Sequence, residues 1–360
     1  MVDERALMRR ALFHAARATG GTVPNPMVGA VIVDDAGTVV GQGFHERAGL
    51  AHAEVAALAA AGERARGATM YVTLEPCCHT GRTGPCTGRL LDAGIRRVVA
   101  ATLDPDPRVA GRGVAALRAG GVEVEVGLAE EEARRLNAPY FMAQEHGRPL
   151  VIVKAAVSRD GFIAERRDRP TRLTGVLTDR RTQRLRASVD AIAVGSGTVL
   201  ADDPRLTARD VVRARPLTRV VFDRRLRTPA EARLLTECAD SPVIIVTAPG
   251  AVWARPEAAQ RLADTGATVL PAESIASALA ALVPLGVHSL LVEGGAQLHR
   301  ALWEADVVDR LCLAVAPRLL GPGAVPLFDG APVPWRRLRR VRAEMCGGDA
   351  WMEADVHRTH

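Results

Sequence analysis

Aromatic side chains are scarce in this chain. They make up 3% of its 360 residues, with only two tyrosines and four tryptophans. A surface that stacks nucleic-acid bases on aromatic rings is therefore not expected. No apolar run reaches the length of a membrane-spanning helix, and residues 1–20 are charged and amphipathic, unlike a secretory signal peptide. We expect a cytoplasmic protein that binds neither nucleic acid nor a membrane.

Cysteine is also sparse, but it is unevenly placed. Of six cysteines, three lie within residues 77–86. In a reducing compartment such a cluster is more often a metal or catalytic site than a pair of disulfides. The formal net charge of +6 comes almost wholly from arginine. This excess suits phosphorylated small molecules as well as it suits nucleic acid. The arginine-rich stretch 335–342 is predicted to be an exposed face or an edge strand.

The length and the 48% content of apolar residues predict two α/β domains. A helix over 3–18 is followed by the order β-β-α-β-α-β-α-β and a further helix over 129–146, which implies one mixed sheet with helices on its faces. The segment 147–149 is a plausible linker. We therefore expect one domain over 1–146 and another over 147–360. In the second, helices are predicted over 178–187, 255–263, 274–282 and 295–303, between hydrophobic strands.

Three residues of the first domain have the pattern of a zinc site. His52 opens a helical segment, Cys77 follows a predicted strand, and Cys86 comes nine residues after Cys77. One imidazole and two thiolates leave the fourth tetrahedral position open, as in a catalytic zinc centre. Glu54 lies two residues from His52, where it can enter the pocket without binding the metal and transfer protons. This is the pattern of the zinc-dependent deaminases, in which zinc lowers the pKa of water from ~16 toward ~7.

Alternatives to this ligand set remain at this point. The commoner spacing is Pro-Cys-x-x-Cys, whereas here the second thiol is nine positions on. We expect Cys86 rather than Cys78 or His79 to complete the set, because Cys78 directly follows Cys77 and points another way. A redox loop without zinc is the competing interpretation, but it leaves the His-x-Glu pattern unexplained.

The long cysteine loop, with the segments 23–29 (VPNPMVG) and 73–77 (TLEPC), resembles the deaminase half of the bifunctional riboflavin-biosynthesis enzymes. In these, a diaminohydroxyphosphoribosylaminopyrimidine deaminase is fused to a 5-amino-6-(5-phosphoribosylamino)uracil reductase. The resemblance implies a cytidine-deaminase-like fold for the first domain. It also implies substrate contacts by Asn25, His79 and Arg82. An asparagine amide offers both a donor and an acceptor to a pyrimidine edge.

The second domain resembles the reductase half of the same family over essentially its whole length. The similar segments are 154–161 (KAAVSRDG), 197–204 (GTVLADDP), 206–209 (LTAR) and 293–295 (EGG). The resemblance implies a dihydrofolate-reductase-like fold that uses NADPH, with Thr198, Asp202 and the segment from Gly295 to residue 301 at the cofactor. The residues implied at the phosphoribosyl substrate are Lys154, Arg186, Leu206, Arg209 and Glu293. A Rossmann fold is rejected, because the Gly195-x-Gly197 turn has leucine at the third glycine position.

This chain departs from the family pattern at three positions. Arg172 stands where a tryptophan is frequent, Arg224 where a serine is common, and Pro170 where a small polar residue is usual. Arg172 and Arg224 are retained as cofactor contacts, since an arginine there can favour the 2′-phosphate of NADPH. Lys154 and Asp202 are the candidates for assisting proton transfer during reduction.

The resulting prediction is a homo-oligomer, dimeric or tetrameric, with two activities. It deaminates 2,5-diamino-6-(5-phosphoribosylamino)pyrimidin-4-one by zinc-bound hydroxide and then reduces the ribosyl side chain to ribityl with NADPH. A nucleic-acid deaminase, for example one acting on tRNA with an accessory domain, is the alternative. A non-catalytic, zinc-stabilised binding protein is a third hypothesis.

Overall fold

The computed structural model describes residues 3–79, 84–169, 171–236, 241–331 and 335–356. The chain forms two compact units that divide between Gly147 and Arg148. Two positions of interest, Arg82 and Pro170, lie outside the described residues. In the part of the chain that is described, no helix is both long enough and apolar enough to cross a membrane.

The first unit alternates strands and helices, as the sequence pattern predicts. Its elements are α1 Glu4–Ala16, β1 Gly29–Val33, β2 Val39–Phe44, α2 Ala53–Ala61, β3 Thr69–Val72, α3 Cys86–Asp92, β4 Arg97–Ala100, α4 Arg112–Ala119, β5 Glu123–Val126, α5 Glu130–Leu136 and α6 Ala138–His146. The strands form one mixed sheet in the order β2-β1-β3-β4-β5. Strand β1 is antiparallel to β2 and β3, whereas β3, β4 and β5 run parallel.

Both faces of this sheet are covered. Val31 and Tyr71 pack with Met8 of α1 on one face, while Ile32 packs with Ala57 of α2 on the other. All five residues of β1 are buried, because successive side chains of a strand point to opposite faces and both faces meet helices. The expected mixed sheet between helical layers is therefore confirmed.

Two glycines of β2 bring helix α2 unusually close to the sheet. A Cβ atom on Gly41 would lie 2.3 Å from the carbonyl oxygen of Ala57, and one on Gly43 would lie 2.7 Å from the amide nitrogen of Ala57. No side chain fits in that space, so glycine is required at both positions. The close packing fixes the start of α2, and with it the position of His52 immediately before the helix.

The single helix predicted over 129–146 is wrong in one respect, because the chain breaks it at Asn137. The buried Asn137 side chain accepts a hydrogen bond from the Met27 amide and donates one to the Met27 carbonyl, each at 2.8 Å. Pro139 then occupies the first turn of α6, where its missing N–H costs nothing. The local hydrophobic pattern cannot indicate this contact, because Met27 lies 110 positions away from Asn137 in the sequence.

The second unit also alternates strands and helices. Its elements are β6 Leu150–Ser158, β7 Phe162–Ala164, α7 Val176–Ser188, β8 Ala191–Gly195, α8 Ser196–Asp202, β9 Thr218–Phe222, α9 Arg233–Thr236, β10 Val243–Thr247, α10 Pro249–Ala254, α11 Pro256–Asp264, β11 Thr268–Pro271, α12 Ile275–Leu282, β12 Ser289–Gly294, α13 Ala296–Glu304, β13 Arg310–Ala316, β14 Val325–Pro326, β15 Leu338–Cys346 and β16 Asp349–Val356. The four predicted helices correspond to α7, α11, α12 and α13.

Nine strands of this unit form one sheet, in the order β11-β10-β9-β8-β12-β6-β13-β16-β15. The seven strands from β11 to β13 are parallel, and β16 and β15 continue the sheet antiparallel. Residues 335–337 of the arginine-rich stretch form a short 3-10 turn, and residues 338–342 begin β15 at one edge of the sheet, where the strand is exposed from Arg339 to Met345. That confirms the predicted edge strand.

The sequence predicts a turn at Gly195-x-Gly197, but the helix α8 begins there, at Ser196. Ser196 and Val199 of α8 are buried against the end of β8. Glycines at 195 and 197 weaken the helical signal in the sequence, since glycine disfavours helices in isolation. Tertiary packing of a short apolar face decides the structure here.

Candidate functional site

Two helix starts and one loop bring the three predicted zinc ligands together. His52 immediately precedes α2, Cys86 is the first residue of α3, and Cys77 lies in the segment that follows β3. The Cys86 amide donates to the Cys77 sulfur at 3.4 Å. An amide of a helix's first turn has no partner within its own helix, so the loop and the helix are joined through this sulfur.

The donor atoms of the three side chains converge. The Nδ1 atom of His52 lies 3.6 Å from the Cys77 sulfur and 3.3 Å from the Cys86 sulfur. All three donor atoms lie within 4.8 Å of one another, and within the described ranges no other group of three or more histidine, cysteine or acidic side chains comes together in this way. One imidazole and two thiols are soft ligands at the spacing of a tetrahedral centre, so the donor set fits zinc.

The cluster has the charge distribution of a metal site. The hydrogen bond from Cys86, with a further one from His52, holds the pKa of Cys77 well below its usual range. The hydrogen bond to Cys77 in turn raises the pKa of His52. A thiolate is the form of cysteine that binds metals. The site therefore favours one thiolate through its own hydrogen bonds.

Glu54 lies in the first turn of α2 and is buried, with 4% of its surface exposed. Burial raises the pKa of Glu54 to about 7, and the neighbouring Cys86 thiol partly opposes that shift. The carboxyl group thus faces the cluster from the same helix end as His52 but is not one of its three donors. This is the position expected for a group that exchanges protons beside the metal.

The two other ligand candidates lie elsewhere. The Cys78 thiol donates to the backbone carbonyl of Arg108 at 3.8 Å, so it points away from the cluster. His79 is half-buried and does not join the three donors; its Nδ1 atom is buried without a hydrogen-bond partner among the described residues. Arg82, the other residue expected in this loop, lies outside the described residues.

His45 is a site residue that sequence reasoning missed. Its Nδ1 atom lies 3.0 Å from the carbonyl oxygen of Ala51, and its Nε2 atom lies 3.0 Å from Nδ2 of Asn25. A carbonyl oxygen only accepts, so the proton of the neutral ring is on Nδ1 and Nε2 accepts from the Asn25 amide. Burial lowers the pKa of His45 and favours this neutral form. The ring thus orients Asn25 and leaves its side-chain oxygen available as an acceptor.

Glu75 is a second missed residue, and it organises the loop that follows β4. Its buried carboxylate accepts hydrogen bonds from the amides of Asp104 at 3.1 Å, Gly111 at 2.9 Å and Val114 at 3.0 Å. Because Glu75 lies two residues before Cys77, the carboxylate ties the cysteine loop to the start of α4. The position of a glutamate before Pro-Cys is the only local signal for this role.

The second unit holds a separate cradle at the carboxyl ends of β8 and β12. These parallel strands are neighbours, and each is followed directly by a helix. A Cβ atom on Gly294 would lie 3.0 Å from Oγ1 of Thr198, and one on Gly295, where φ is +89°, would lie 3.9 Å from Cα of Gly195. Glycine keeps this space open, and backbone amides at such a turn can meet a phosphate. The cradle fits the pyrophosphate of a dinucleotide at the predicted residues Thr198 and Gly295.

Lys154, Arg186 and Glu293 form a half-buried cluster beside this cradle. Arg186 binds Glu293 through two parallel hydrogen bonds, of 2.8 Å from Nε and 2.5 Å from Nη2, and donates to the Thr207 carbonyl at 2.7 Å. Burial lowers the pKa of Lys154, while the Glu293 carboxylate opposes that shift. Lys154 is the sole lysine among 47 basic residues of the chain. Its ammonium can lose a proton, which a guanidinium cannot.

The other residues predicted for the second unit lie in different surroundings. Leu206 is buried in the left-handed region with φ +51°, and the Arg209 amide donates to the Gln183 side chain at 2.8 Å. Asp202 is the last residue of α8 and its surface is exposed, but protein atoms nearby exclude part of the water around its carboxylate, and this partial desolvation raises its pKa. Arg172 is exposed and pairs with the Asp179 carboxylate at 3.1 Å. Arg224 is exposed just beyond β9.

Comparisons with known proteins show that each unit matches a known protein family. Residues 1–102 match the model of the cytidine and deoxycytidylate deaminase zinc-binding region, and residues 149–352 match that of the RibD C-terminal domain. The cytidine-deaminase-like first unit and the dihydrofolate-reductase-like second unit expected from the sequence are consistent with these matches.

Whole-length relatives carry both units in the same order. The chain is 40% identical to the riboflavin biosynthesis protein RibD of Escherichia coli, with 96% of this chain and 98% of the relative covered. It is 41% identical to that of Aquifex aeolicus over 89% and 88% of the two chains. The solved structure of Acinetobacter baumannii RibD superposes with a TM-score of 0.88 at 35% identity over 99% of both chains. A deaminase/reductase structure from Thermotoga maritima gives 0.84 at 31% identity over 98% of both. The chain therefore belongs to the RibD family, whose members combine a deaminase and a reductase of riboflavin biosynthesis.

Proposed function

We propose that the first unit hydrolyses the amino group of 2,5-diamino-6-(5-phosphoribosylamino)pyrimidin-4-one and that the second unit reduces the ribosyl side chain of the product. The observation that carries the proposal is the cluster of His52, Cys77 and Cys86 beside the buried Glu54, in a chain whose second half matches a RibD reductase domain. The similar protein from Thermotoga maritima is a diaminohydroxyphosphoribosylaminopyrimidine deaminase and 5-amino-6-(5-phosphoribosylamino)uracil reductase. A tRNA deaminase with an accessory domain is not favoured, because the second unit is itself of the RibD type.

The residues that would hold zinc are His52 through Nδ1 and the thiolates of Cys77 and Cys86. When bound there, zinc acidifies a water molecule so that a hydrolytic nucleophile is present near neutral pH. Glu54 supplies a carboxylate that faces the same cluster from the first turn of α2. Its role is to move a proton from the attacking water to the pyrimidine and to the departing ammonia. Asn25, oriented by His45, offers its oxygen to a donor on the pyrimidine edge.

The deaminase proposal is tested with Glu54→Gln. We expect this variant to keep about one zinc per chain while ammonia release falls ~10²- to 10⁴-fold, the usual contribution of general acid–base catalysis. The matched control lies in the same polypeptide, because reduction of the already deaminated intermediate should remain at the wild-type rate. Retention of ammonia release with Glu54→Gln would exclude the carboxylate from proton transfer, and loss of zinc would make it a structural residue.

The second unit would bind NADPH with its pyrophosphate at the cradle formed by Gly195, Thr198, Gly294 and Gly295. When bound, NADPH supplies the hydride. The ribosylamine has to open to an imine before it can accept that hydride, and the product nitrogen then needs a proton. Lys154, held beside Glu293 and Arg186, is the residue we assign to this proton. The phosphoribosyl group would meet Arg209 and the loop that Arg186 anchors.

Omitting NADPH separates the deamination step from the reduction step in an assay. The zinc-loaded chain should release ammonia from the diamino substrate without NADPH, and NADPH should be oxidised only after that release. Oxidation of NADPH before ammonia release would reverse the proposed order. If neither ammonia release nor NADPH oxidation occurs, the proposed function is wrong.

We also propose that the chain acts in the cytoplasm as a homodimer or homotetramer. The proposed compartment is supported by three free cysteines in the zinc cluster and its loop, Cys77, Cys78 and Cys86, because unpaired thiols suit a reducing compartment. Light scattering coupled to size-exclusion chromatography measures the mass directly. A mass of about 38 kDa, that of one chain, would refute the oligomer.

A further inference from the structure

Arg227 contacts the cofactor cradle from the side of β9. Its Nη2 atom donates to Oγ of Ser196 at 2.8 Å. Ser196 directly follows Gly195 and is the first residue of α8, so Arg227 meets the cradle at the point where β8 ends. The sequence patterns did not single out this arginine among its basic neighbours.

The backbone around Arg227 is held firmly by a buried acid. One carboxylate oxygen of Asp223, a residue with no exposed surface, accepts hydrogen bonds from the amide of Arg227 at 2.6 Å, the amide of Thr228 at 2.7 Å and the Thr228 hydroxyl at 2.7 Å. Leu226, in the left-handed region with φ +49°, completes the turn and is itself buried. The guanidinium is therefore presented from a defined turn and not from a loose loop.

The neighbouring arginines lack this anchoring. Arg224 and Arg225 are exposed, and neither has a side-chain hydrogen bond or ion pair to another described residue. Arg172 is engaged with the Asp179 carboxylate of α7. Arg227 is also exposed, and among the described residues its guanidinium makes one hydrogen bond, the one to Ser196, so its other N–H groups are available to a ligand. A planar guanidinium with two adjacent N–H groups free is suited to bind a phosphate bidentately.

The order of the strands indicates which phosphate of a bound dinucleotide would lie beside Arg227. In the sequence β9-β8-β12-β6, the pyrophosphate cradle lies at β8 and β12, and the substrate cluster with Lys154 and Glu293 lies at β6 and β12. The nicotinamide has to reach that cluster to deliver its hydride, so it extends from the cradle toward β6. The adenosine must then extend the opposite way, toward the end of β9, which is where Arg227 lies.

We infer that Arg227 binds the 2′-phosphate of the adenosine ribose and makes this chain select NADPH over NADH. The two dinucleotides differ only in that phosphate, so a residue that contacts it can decide between them. The inference rests on the proposed reductase function. It assigns selectivity to a residue different from Arg172 and Arg224, the two arginines that the sequence predicts as cofactor contacts.

The test is titration calorimetry of the full-length, zinc-loaded chain with NADP⁺ and with NAD⁺. For Arg227→Gln we expect the dissociation constant for NADP⁺ to rise about 10- to 100-fold, as is typical for loss of hydrogen bonds to a charged group. The constant for NAD⁺ should stay within about twofold. Arg225→Gln is the matched control, an exposed arginine two residues away that should leave both constants unchanged. Adenosine 2′,5′-bisphosphate and AMP, titrated in the same way, should show the same contrast without the nicotinamide.

Three outcomes would overturn the inference. NADP⁺ binding by Arg227→Gln at the wild-type constant would show that the residue does not meet the phosphate. An equal weakening for NADP⁺ and NAD⁺ would place Arg227 at the pyrophosphate or in the fold instead. A selective loss of NADP⁺ binding in Arg224→Gln and not in Arg227→Gln would assign the role to Arg224. A wild-type chain that binds neither dinucleotide would refute the reductase proposal itself, a result distinct from these three.

Discussion

Glu75→Gln should destabilise the first unit selectively. The substitution replaces one oxygen of a buried carboxylate by an NH₂ group, and this carboxylate accepts hydrogen bonds from three backbone amides. One oxygen of Glu75 accepts from the amides of Asp104 and Gly111, and the other accepts from the amide of Val114. Glutamine keeps a single acceptor oxygen. Whichever way its amide is turned, at least one buried N–H loses its acceptor and faces a second donor.

The cost follows from these contacts. A hydrogen bond to a charged group contributes about 1.5–3 kcal/mol, and a neutral one about 1 kcal/mol. In the better orientation, the substitution removes the bond to Val114 and converts the two others from charged to neutral. The free energy of unfolding should then fall by about 4 kcal/mol. For a unit of this size that corresponds to a lowering of the thermal midpoint by roughly 8–16 °C.

The assay uses the two activities of the chain as separate reporters. Aliquots are heated for a fixed time, and the residual deaminase and reductase activities are each expressed relative to the unheated sample of the same variant. Glu75→Gln should lose its deaminase activity at a lower temperature than the wild type does, while its reductase activity should be lost at the wild-type temperature.

Glu63→Gln, at an exposed position, is the control, and its free energy of unfolding should stay within about 0.5 kcal/mol of that of the wild type. A deaminase midpoint in Glu75→Gln equal to that of the control would refute the reasoning. An equal fall in both activities would show that the effect is not local to the first unit.

Three further results are expected. Cys78→Ser should keep about one zinc per chain by elemental analysis, because its thiol faces a backbone carbonyl, whereas Cys86→Ser should lose the metal; equal zinc contents would contradict this. His45→Phe should raise the deaminase KM with zinc unchanged, because Asn25 loses the acceptor that orients it, and His45→Gln should restore part of the loss; a fall in kcat alone would argue against orientation. Lys154→Arg should lower reductase kcat ~10²-fold or more and spare the deaminase, since arginine keeps the charge but does not release a proton; unchanged NADPH oxidation would remove Lys154 from proton transfer.

The local hydrophobic pattern predicted most of the regular structure correctly. Strands such as β10 and β12 are apolar runs bounded by proline, serine or glycine, and they are buried on both faces because helices cover the sheet on either side. The helices α12 and α13 carry buried residues at helical spacing. Such elements are predictable because the period of the pattern and the burial of the element have the same cause.

The errors occur where tertiary contacts outweigh the local pattern. The break between α5 and α6 depends on the two hydrogen bonds between Asn137 and Met27. The helix α8 forms because Ser196 and Val199 are buried at the end of β8, although its glycines suggest a turn. No window of neighbouring residues contains both Met27 and Asn137, so the local pattern could not indicate that break.

The same division applies to the sites. The zinc ligands were readable from spacing because His-x-Glu and the two cysteines carry their chemistry in their residue types, and the fold brings their donor atoms within 4.8 Å. His45, Glu75 and Arg227 have no such signature. Histidine, glutamate and arginine are common on surfaces, and these three acquire a role only through hydrogen bonds to Asn25, to the amides around α4 and to Ser196.

Residue types and spacing thus determined which reactive groups this protein possesses, the order of its strands and helices and the family to which it belongs. The tertiary structure decided which cysteine faces the cluster, which way the Asn25 amide is turned and which arginine reaches the cofactor cradle. The reason is physical: the reactivity of a group is a property of its atoms, whereas its orientation depends on hydrogen bonds to residues that only the fold brings near.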